Sequence, residues 1–217
     1  MENGLEHLEA KYWTETIICH PELEEQCPWE ELGASAWHDI LLVRPEFIRH
    51  APQKLALSLG AKQWLEIMIR HPELDAEIPA TKSLLSKDSV AIGKLWGTLL
   101  SRNPQFAKYE PWKHLRRDDW KKVLSQQPQF ISNYERNRSR DDSWQFTLIS
   151  SDQAEIIARQ PSLFYRFKAN DFQSSSWKAI LFSQPQFRPH CNLNKIGPNY
   201  LGLILERYPQ WLDYCDT

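Results

Sequence analysis

Apolar side chains recur along this chain in a fixed frame. A tryptophan is followed three and four residues later by aliphatic residues and eight residues later by proline, as in Trp96, Leu99, Leu100 and Pro104 and again in Trp120, Val123, Leu124 and Pro128. With the Trp position taken as slot 0, the frame restarts at residues 13, 37, 64, 96, 120, 153, 177 and 201, with Gln153 and Leu201 in place of Trp in two of the eight units. Slots 0, +3 and +4 share one face of a helix, so each unit predicts an amphipathic helix of about ten residues. A helix that short does not persist alone in water and needs neighbours.

The +8 proline (Pro21, Pro45, Pro72, Pro104, Pro128, Pro161, Pro185 and Pro209) occurs in every unit. It pushes the preceding residue out of the α region and so closes the helix, while its fixed φ suits the first position of a following turn. A short second helix or 3-10 turn is therefore expected, whose +10 side chain (Leu23, Phe47, Leu74, Phe106, Phe130, Leu163, Phe187 or Trp211) returns to the core. Slot +14 is apolar or small (Cys27, Ala51, Ile78, Tyr134, Phe167, Cys191 and Cys215), with Glu110 the exception. A connector follows, with proline at +15 (Pro28, Pro52, Pro79 and Pro111) and an apolar +19 residue in Leu32, Leu115, Phe172 and Ile196. The base period is 24 residues, and longer spacings place insertions near residues 80–92 and 136–151, the second a polar exposed loop. The expected fold is all-α: an α-solenoid of about eight short helix–turn–helix (α/3-10) repeats forming a single domain over residues 1–217.

The unit Trp96-Gly97-Thr98-Leu99-Leu100-Ser101-Arg102-Asn103-Pro104-Gln105-Phe106, repeated from Trp120 to Phe130, resembles the tandem repeats of bacterial proteins built from W-x-x-L-L-x-x-Q-P-Q-F units. The resemblance covers essentially the whole chain. In its helix followed by a proline-led tighter turn, the unit is also similar in architecture to bacterial leucine-rich-repeat-variant solenoids, although the slot residues do not match that consensus. The resemblance implies a scaffold and carries over no catalytic residue.

Composition narrows the picture. Of 217 residues, 41% are hydrophobic, enough to build a core, and the formal net charge of −2 excludes both a polyanion mimic and a strongly basic binder. Seven glycines against 14 prolines argue against glycine-rich phosphate loops, and the ten tryptophans are most simply core residues whose N–H finds a carbonyl at a helix edge. No apolar run approaches the roughly 18 residues of a membrane span, and the N-terminal residues lack the pattern of a secretory signal, so no membrane association and a cytoplasmic location are expected. Cys19, Cys27, Cys191 and Cys215 show no C-x-x-C spacing and read as reduced, the last three as buried and unreactive core residues.

Seven histidines form no H-x-x-x-H pair and accompany no G-x-S-x-G elbow. His20 and His71 share slot +7 with Arg44, Asn103, Gln127, Gln160, Gln184 and Tyr208, which reads as a polar surface slot. No catalytic residue, metal site, cofactor or small-molecule substrate is expected. The aromatics that fall outside the core frame, Tyr12, Tyr165, Phe182 and Tyr208, are candidates for a binding surface.

Charge is uneven. Residues 1–32 carry nine acids and one base, and residues 96–140 carry ten bases against four acids. Within the basic segment, Lys113, Arg116, Arg117, Lys121, Lys122, Arg136, Arg138 and Arg140 are the candidate partner-binding residues, several of them expected on one exposed surface. Slot +6 adds Arg70, Arg102, Arg159 and Arg207, placed either to complement the helix dipole or to line a groove. Slot +9 shifts from Glu22, Glu46 and Glu73 to Gln105, Gln129, Gln186 and Gln210. The expected function is a non-enzymatic protein-interaction module for a protein or peptide partner; the alternative is a nucleic-acid-binding helical-repeat protein using segment 96–140.

Overall fold

A computed structural model describes residues 10–52, 54–76, 90–139 and 147–215. Eight repeat helices lie where the frame places them: α1 (Ala10–Cys19), α2 (Ala34–Val43), α3 (Ala61–Arg70), α4 (Val90–Arg102), α5 (Arg117–Gln126), α6 (Ser150–Arg159), α7 (Ser174–Ser183) and α8 (Pro198–Arg207). A 3-10 segment opens at the +8 proline of every unit. The described residues contain no strand, and the fold is an all-α solenoid. The chain divides into two compact units, residues 1–95 and residues 96–217, the division falling within α4.

Each unit turns for a local reason. The slot +7 residue sits at φ near −130° and ψ near 70°, the extended bias that a following proline imposes, so the helix cannot continue. Its N–H still closes the last helical turn, as Arg44 does on the Ile40 carbonyl at 2.7 Å. Its own carbonyl accepts from the +10 N–H, as in Phe106 to Asn103 and Phe130 to Gln127, both at 3.2 Å, and that bond turns the +10 side chain inward. Phe47, Phe106, Phe130, Phe187 and Trp211 are buried there, while Leu23 in the first unit is half-buried.

The core slots hold. Trp13, Trp37, Trp64, Trp96, Trp120 and Trp177 are all buried, as are the +3 and +4 residues from Ile40 and Leu41 through Ile180 and Leu181. The tryptophan N–H groups divide: Trp29 Nε1 donates to the Glu24 carbonyl at 2.9 Å, as expected, whereas Nε1 of Trp37, Trp96 and Trp120 lies buried without a hydrogen-bond partner. These rings are held by packing instead, Trp29 at 5.3 Å from Trp37 and Trp112 stacked at 5.7 Å on Trp120.

Four further departures are seen. The connector is a second 3-10 turn in several units (Trp29–Glu31, Pro111–His114, Ala169–Asp171 and Leu193–Lys195) rather than a loop. In the fifth unit the 3-10 segment Pro128–Phe130 runs straight into an extra helix, Ile131–Arg138, whose Ile131 and Tyr134 pack inward and whose Tyr134 hydroxyl accepts from the Leu148 N–H at 3.0 Å across the insertion. Glu110 takes the left-handed conformation, φ 50°, so the one polar +14 residue marks a strained corner rather than a core anchor. The slot +14 cysteines divide: Cys27 and Cys191 are buried, but Cys215 is only half-buried. Ile78 and Pro79 lie outside the described residues.

Slot +7 is the main correction. His20 is exposed as expected, bonding Glu22 of its own repeat, but in six of the eight units the slot is an inter-repeat clasp. Gln127 Nε2 donates to the Ser101 carbonyl, Gln160 Nε2 to Ser125 and Gln184 Nε2 to Ala158, at 3.0, 3.0 and 2.9 Å. Arg44 reaches the Ile18 carbonyl, His71 Nε2 that of Leu42, and Tyr208 Oη that of Leu181. Every acceptor lies in the last turn of the preceding repeat helix, where carbonyls have no intrahelical donor. Slot +9 supports the clasp: Gln129 and Gln186 donate to the Oε1 of Gln127 and Gln184, and Glu73 faces Nδ1 of His71 at 3.2 Å. The drift from Glu to Gln at +9 therefore follows the change at +7 from cationic or imidazole side chains to amides.

Candidate anion-binding groove

The structure splits the sequence-predicted basic cluster. Arg117 (Nε) and Lys121 (Nζ) each lie 3.5 Å from the carboxylate of Asp152, and Lys121 lies 3.2 Å from Glu155. Asp152 is buried at the start of α6, where its Oδ2 also accepts the Ile149 N–H at 3.2 Å. Burial works against the charged Lys121 ammonium, but the carboxylates of Glu155 and Asp152 outweigh it and push the pKa up. These two cations thus fasten α5 to α6, and they are not the freely exposed surface that the sequence suggested.

The remaining candidates disperse. Lys113 is exposed on the short turn Pro111–His114. Arg116 precedes α5, half-buried, its backbone N–H donating to Asp119 Oδ2 at 3.0 Å. Arg136 and Arg138 are exposed on the extra helix, with Arg138 bonding Tyr134. Arg140 lies outside the described residues.

Lys121 and Lys122 instead join two arginines of the +6 ladder. One face of α4, α5 and α6 borders a groove of about 480 Å³ lined by Arg102, Lys121, Lys122 and Arg159, with Asp118, Glu155, Ser101, Ser125 and Gln126. The walls are held close. Lys122 Nζ donates to Thr98 Oγ1 at 2.8 Å, and a Cβ on Gly97 would stand 2.9 Å from the Cβ of Asp119, so glycine there lets α4 and α5 approach. Of the two carboxylates, Glu155 is engaged by Lys121, and Asp118 lies 3.7 Å from Arg117. Arg102 and Arg159, both exposed, have no carboxylate within ion-pair distance among the described residues. The sequence carried the signal for them in the +6 ladder, but the spacing alone did not say that they share a groove with the α5 lysines.

Burial restrains two of the four thiols, while Cys19 is exposed and Cys215 half-buried. Burial pushes Cys27 up to about 11 and Cys191 up to about 12, which keeps both protonated at neutral pH. Asp119 is also raised by burial, against the bond from Arg116. Among the described residues there is no cluster of three or more His, Cys, Asp and Glu side chains that could hold a metal ion, and no helix long and apolar enough to cross a membrane. Comparisons with protein-family models, with curated proteins and with solved structures give no match to this chain.

Proposed function

We propose that the chain is a non-enzymatic protein-interaction module of the bacterial tandem-repeat kind, working in the cytoplasm as a scaffold, adaptor or inhibitor. Its docking site is the groove of the second unit, and its partner is an anionic protein segment. The observation that carries this reading is the pair of arginines, Arg102 and Arg159, which face one groove with no carboxylate partner among the described residues, while the neighbouring cations Arg117 and Lys121 are consumed by acids of the fold. Guanidinium groups held on the last turns of packed helices are preorganised for carboxylate recognition. The four cysteines are all free thiols, in keeping with a reducing compartment.

The test is capture from the native cell with the wild-type chain and with Arg102→Glu/Arg159→Glu, identifying bound protein and sequencing any bound nucleic acid. Loss of a specific protein in the variant, with the chain still folded by circular dichroism, is the expected result. Capture dominated by nucleic acid, with affinity falling by a log–log salt slope of about −0.9 per phosphate contacted, replaces the protein reading with the nucleic-acid one. Identical capture by both chains removes the groove from the function.

A further inference from the structure

We infer that the groove's ligand is a linear acidic segment bearing an apolar anchor, with carboxylates over Arg102 and Arg159 and the anchor seated on Leu203 and Tyr200 beside Phe182. This rests on the groove being the docking site, and it adds the chemistry and length of what docks there.

The groove belongs to one helix face, the slots +2, +5 and +6, which recurs on each repeat helix of the second unit. At slot +2 the face reads Thr98, Lys122, Glu155, Ala179 and Leu203 from α4 to α8, and at slot +5 it reads Ser101, Ser125, Ala158, Phe182 and Glu206. Slot +6 reads Arg102, Gln126, Arg159, Ser183 and Arg207, so the face is polar and charged over α4 to α6, carries Ala179 and Phe182 on α7, and on α8 sets Leu203 beside the exposed Glu206 and Arg207. Leu203 is 42% exposed, and Tyr200, one turn earlier on the same side of α8, is 38% exposed. The repeat does not require a leucine there, because every other unit holds a charged residue, Thr or Ala at slot +2. Cations flank the patch as well: Lys178 lies 5.3 Å and Arg207 4.8 Å over the half-buried Phe182 ring. An apolar patch flanked by Lys178 and Arg207, on the same repeat face as the groove of Arg102 and Arg159, complements a ligand that is acidic where it meets those two arginines and apolar at one point.

Helix packing sets the ruler. Neighbouring packed helices lie about 8–10 Å apart, so two steps from α4 to α6, or from α6 to α8, cover about 16–20 Å. An extended chain spans that in about five or six residues. The ligand is then a segment of about twelve residues with two acidic positions about six apart and an apolar residue about six beyond the second.

The experiment is display selection of random 16-residue peptides on the full chain, with counter-selection on Arg102→Glu/Arg159→Glu. The synthetic consensus peptide is then titrated by fluorescence anisotropy against wild type, the arginine variant and Leu203→Ser/Tyr200→Ser. The expected consensus has acids and an apolar residue at the stated spacing, and affinity drops at least tenfold in each variant. Circular dichroism of both variants, whose altered side chains are exposed, stays at the wild-type value. An acidic consensus without an apolar position, or full affinity in the Leu203→Ser/Tyr200→Ser chain, overturns this inference and leaves the anionic groove standing. Peptides without acids, no selectable peptide, or no loss in the arginine variant overturn both. Concentration-dependent self-association in sedimentation that disappears with Leu203→Ser shows a second copy on the patch, and that too overturns the inference.

Discussion

Replacing the clasp glutamines by leucine tests what holds neighbouring repeats together. Gln127→Leu, Gln160→Leu and Gln184→Leu keep most of the side-chain volume but remove the donors to the Ser101, Ser125 and Ala158 carbonyls, bonds of 3.0, 3.0 and 2.9 Å between residues 26 to 35 apart in sequence. A neutral amide-to-carbonyl bond contributes about 1 kcal/mol net, and a carbonyl left without a partner in a partly buried site costs about 1–3 kcal/mol. Each single variant is therefore expected to lose about 1 kcal/mol and the triple variant about 3 kcal/mol, a large share of the roughly 5–15 kcal/mol that stabilises an ordinary domain. With a urea dependence of about 2 kcal/mol per molar, the triple variant unfolds about 1.5 M earlier. The assay is urea unfolding followed by tryptophan fluorescence, with hydrogen exchange reporting which repeats open first, because repeat arrays need not unfold in one step. Gln129→Ala, which removes the support for Gln127 but not the clasp, is expected to lose less than Gln127→Leu. A triple variant with the wild-type midpoint refutes the clasp, since water would then be serving those carbonyls equally well.

Other predictions follow from single contacts. Gly97→Ala, ordinarily favourable in a helix, is expected to destabilise by about 1–3 kcal/mol, because its Cβ would meet that of Asp119 at 2.9 Å; a raised melting temperature would refute the close approach of α4 to α5. Thiol titration of the native protein should label Cys19 at once and Cys215 next, with Cys27 and Cys191 slowest; rapid labelling of Cys191 contradicts its burial. Burial raises the Asp119 pKa, so its contribution to stability is full below the ordinary value of 3.8 and is lost as the pH rises through the higher folded-state value. Asp119→Asn should accordingly gain on the wild type between acid and neutral pH, and parallel stability curves would contradict this. Arg117→Glu/Lys121→Glu should lower the urea midpoint strongly by stranding the buried Asp152, whereas Arg102→Glu/Arg159→Glu, exposed on the last turns of their helices, should lower it less; equal effects would erase the distinction between fastening and docking cations.

What the sequence disclosed was what repeats with apolar chemistry. Slots 0, +3, +4 and +10 are read from periodicity because water exclusion acts on each unit alike, so Trp96 and Phe106 could be assigned beside Trp120 and Phe130 without coordinates. The clasp was hidden because His71, Arg44, Gln127 and Tyr208 share no charge or size, only the ability to donate to a carbonyl one repeat back. The basic cluster misled for a related reason. Arg117 and Lys121 find Asp152 and Glu155 across an insertion of irregular length, and no slot spacing links them. The same irregular length blurs the connector anchor: Leu59 and Leu148 are buried five residues ahead of Trp64 and Gln153, in line with Leu32, Leu115, Phe172 and Ile196, so the anchor keeps its distance to the following helix and not to the preceding one.

Hydrogen–deuterium exchange of the full chain with and without the acidic peptide reads directly whether an anionic segment docks across the repeat helices of residues 96–217. Such docking slows exchange on α4, α5 and α6, around residues 98–102, 122–126 and 155–159, and along α8 near Tyr200 and Leu203. Protection confined to the proline-led 3-10 segments or to the turn Pro111–His114, with those helix segments unchanged, would contradict it.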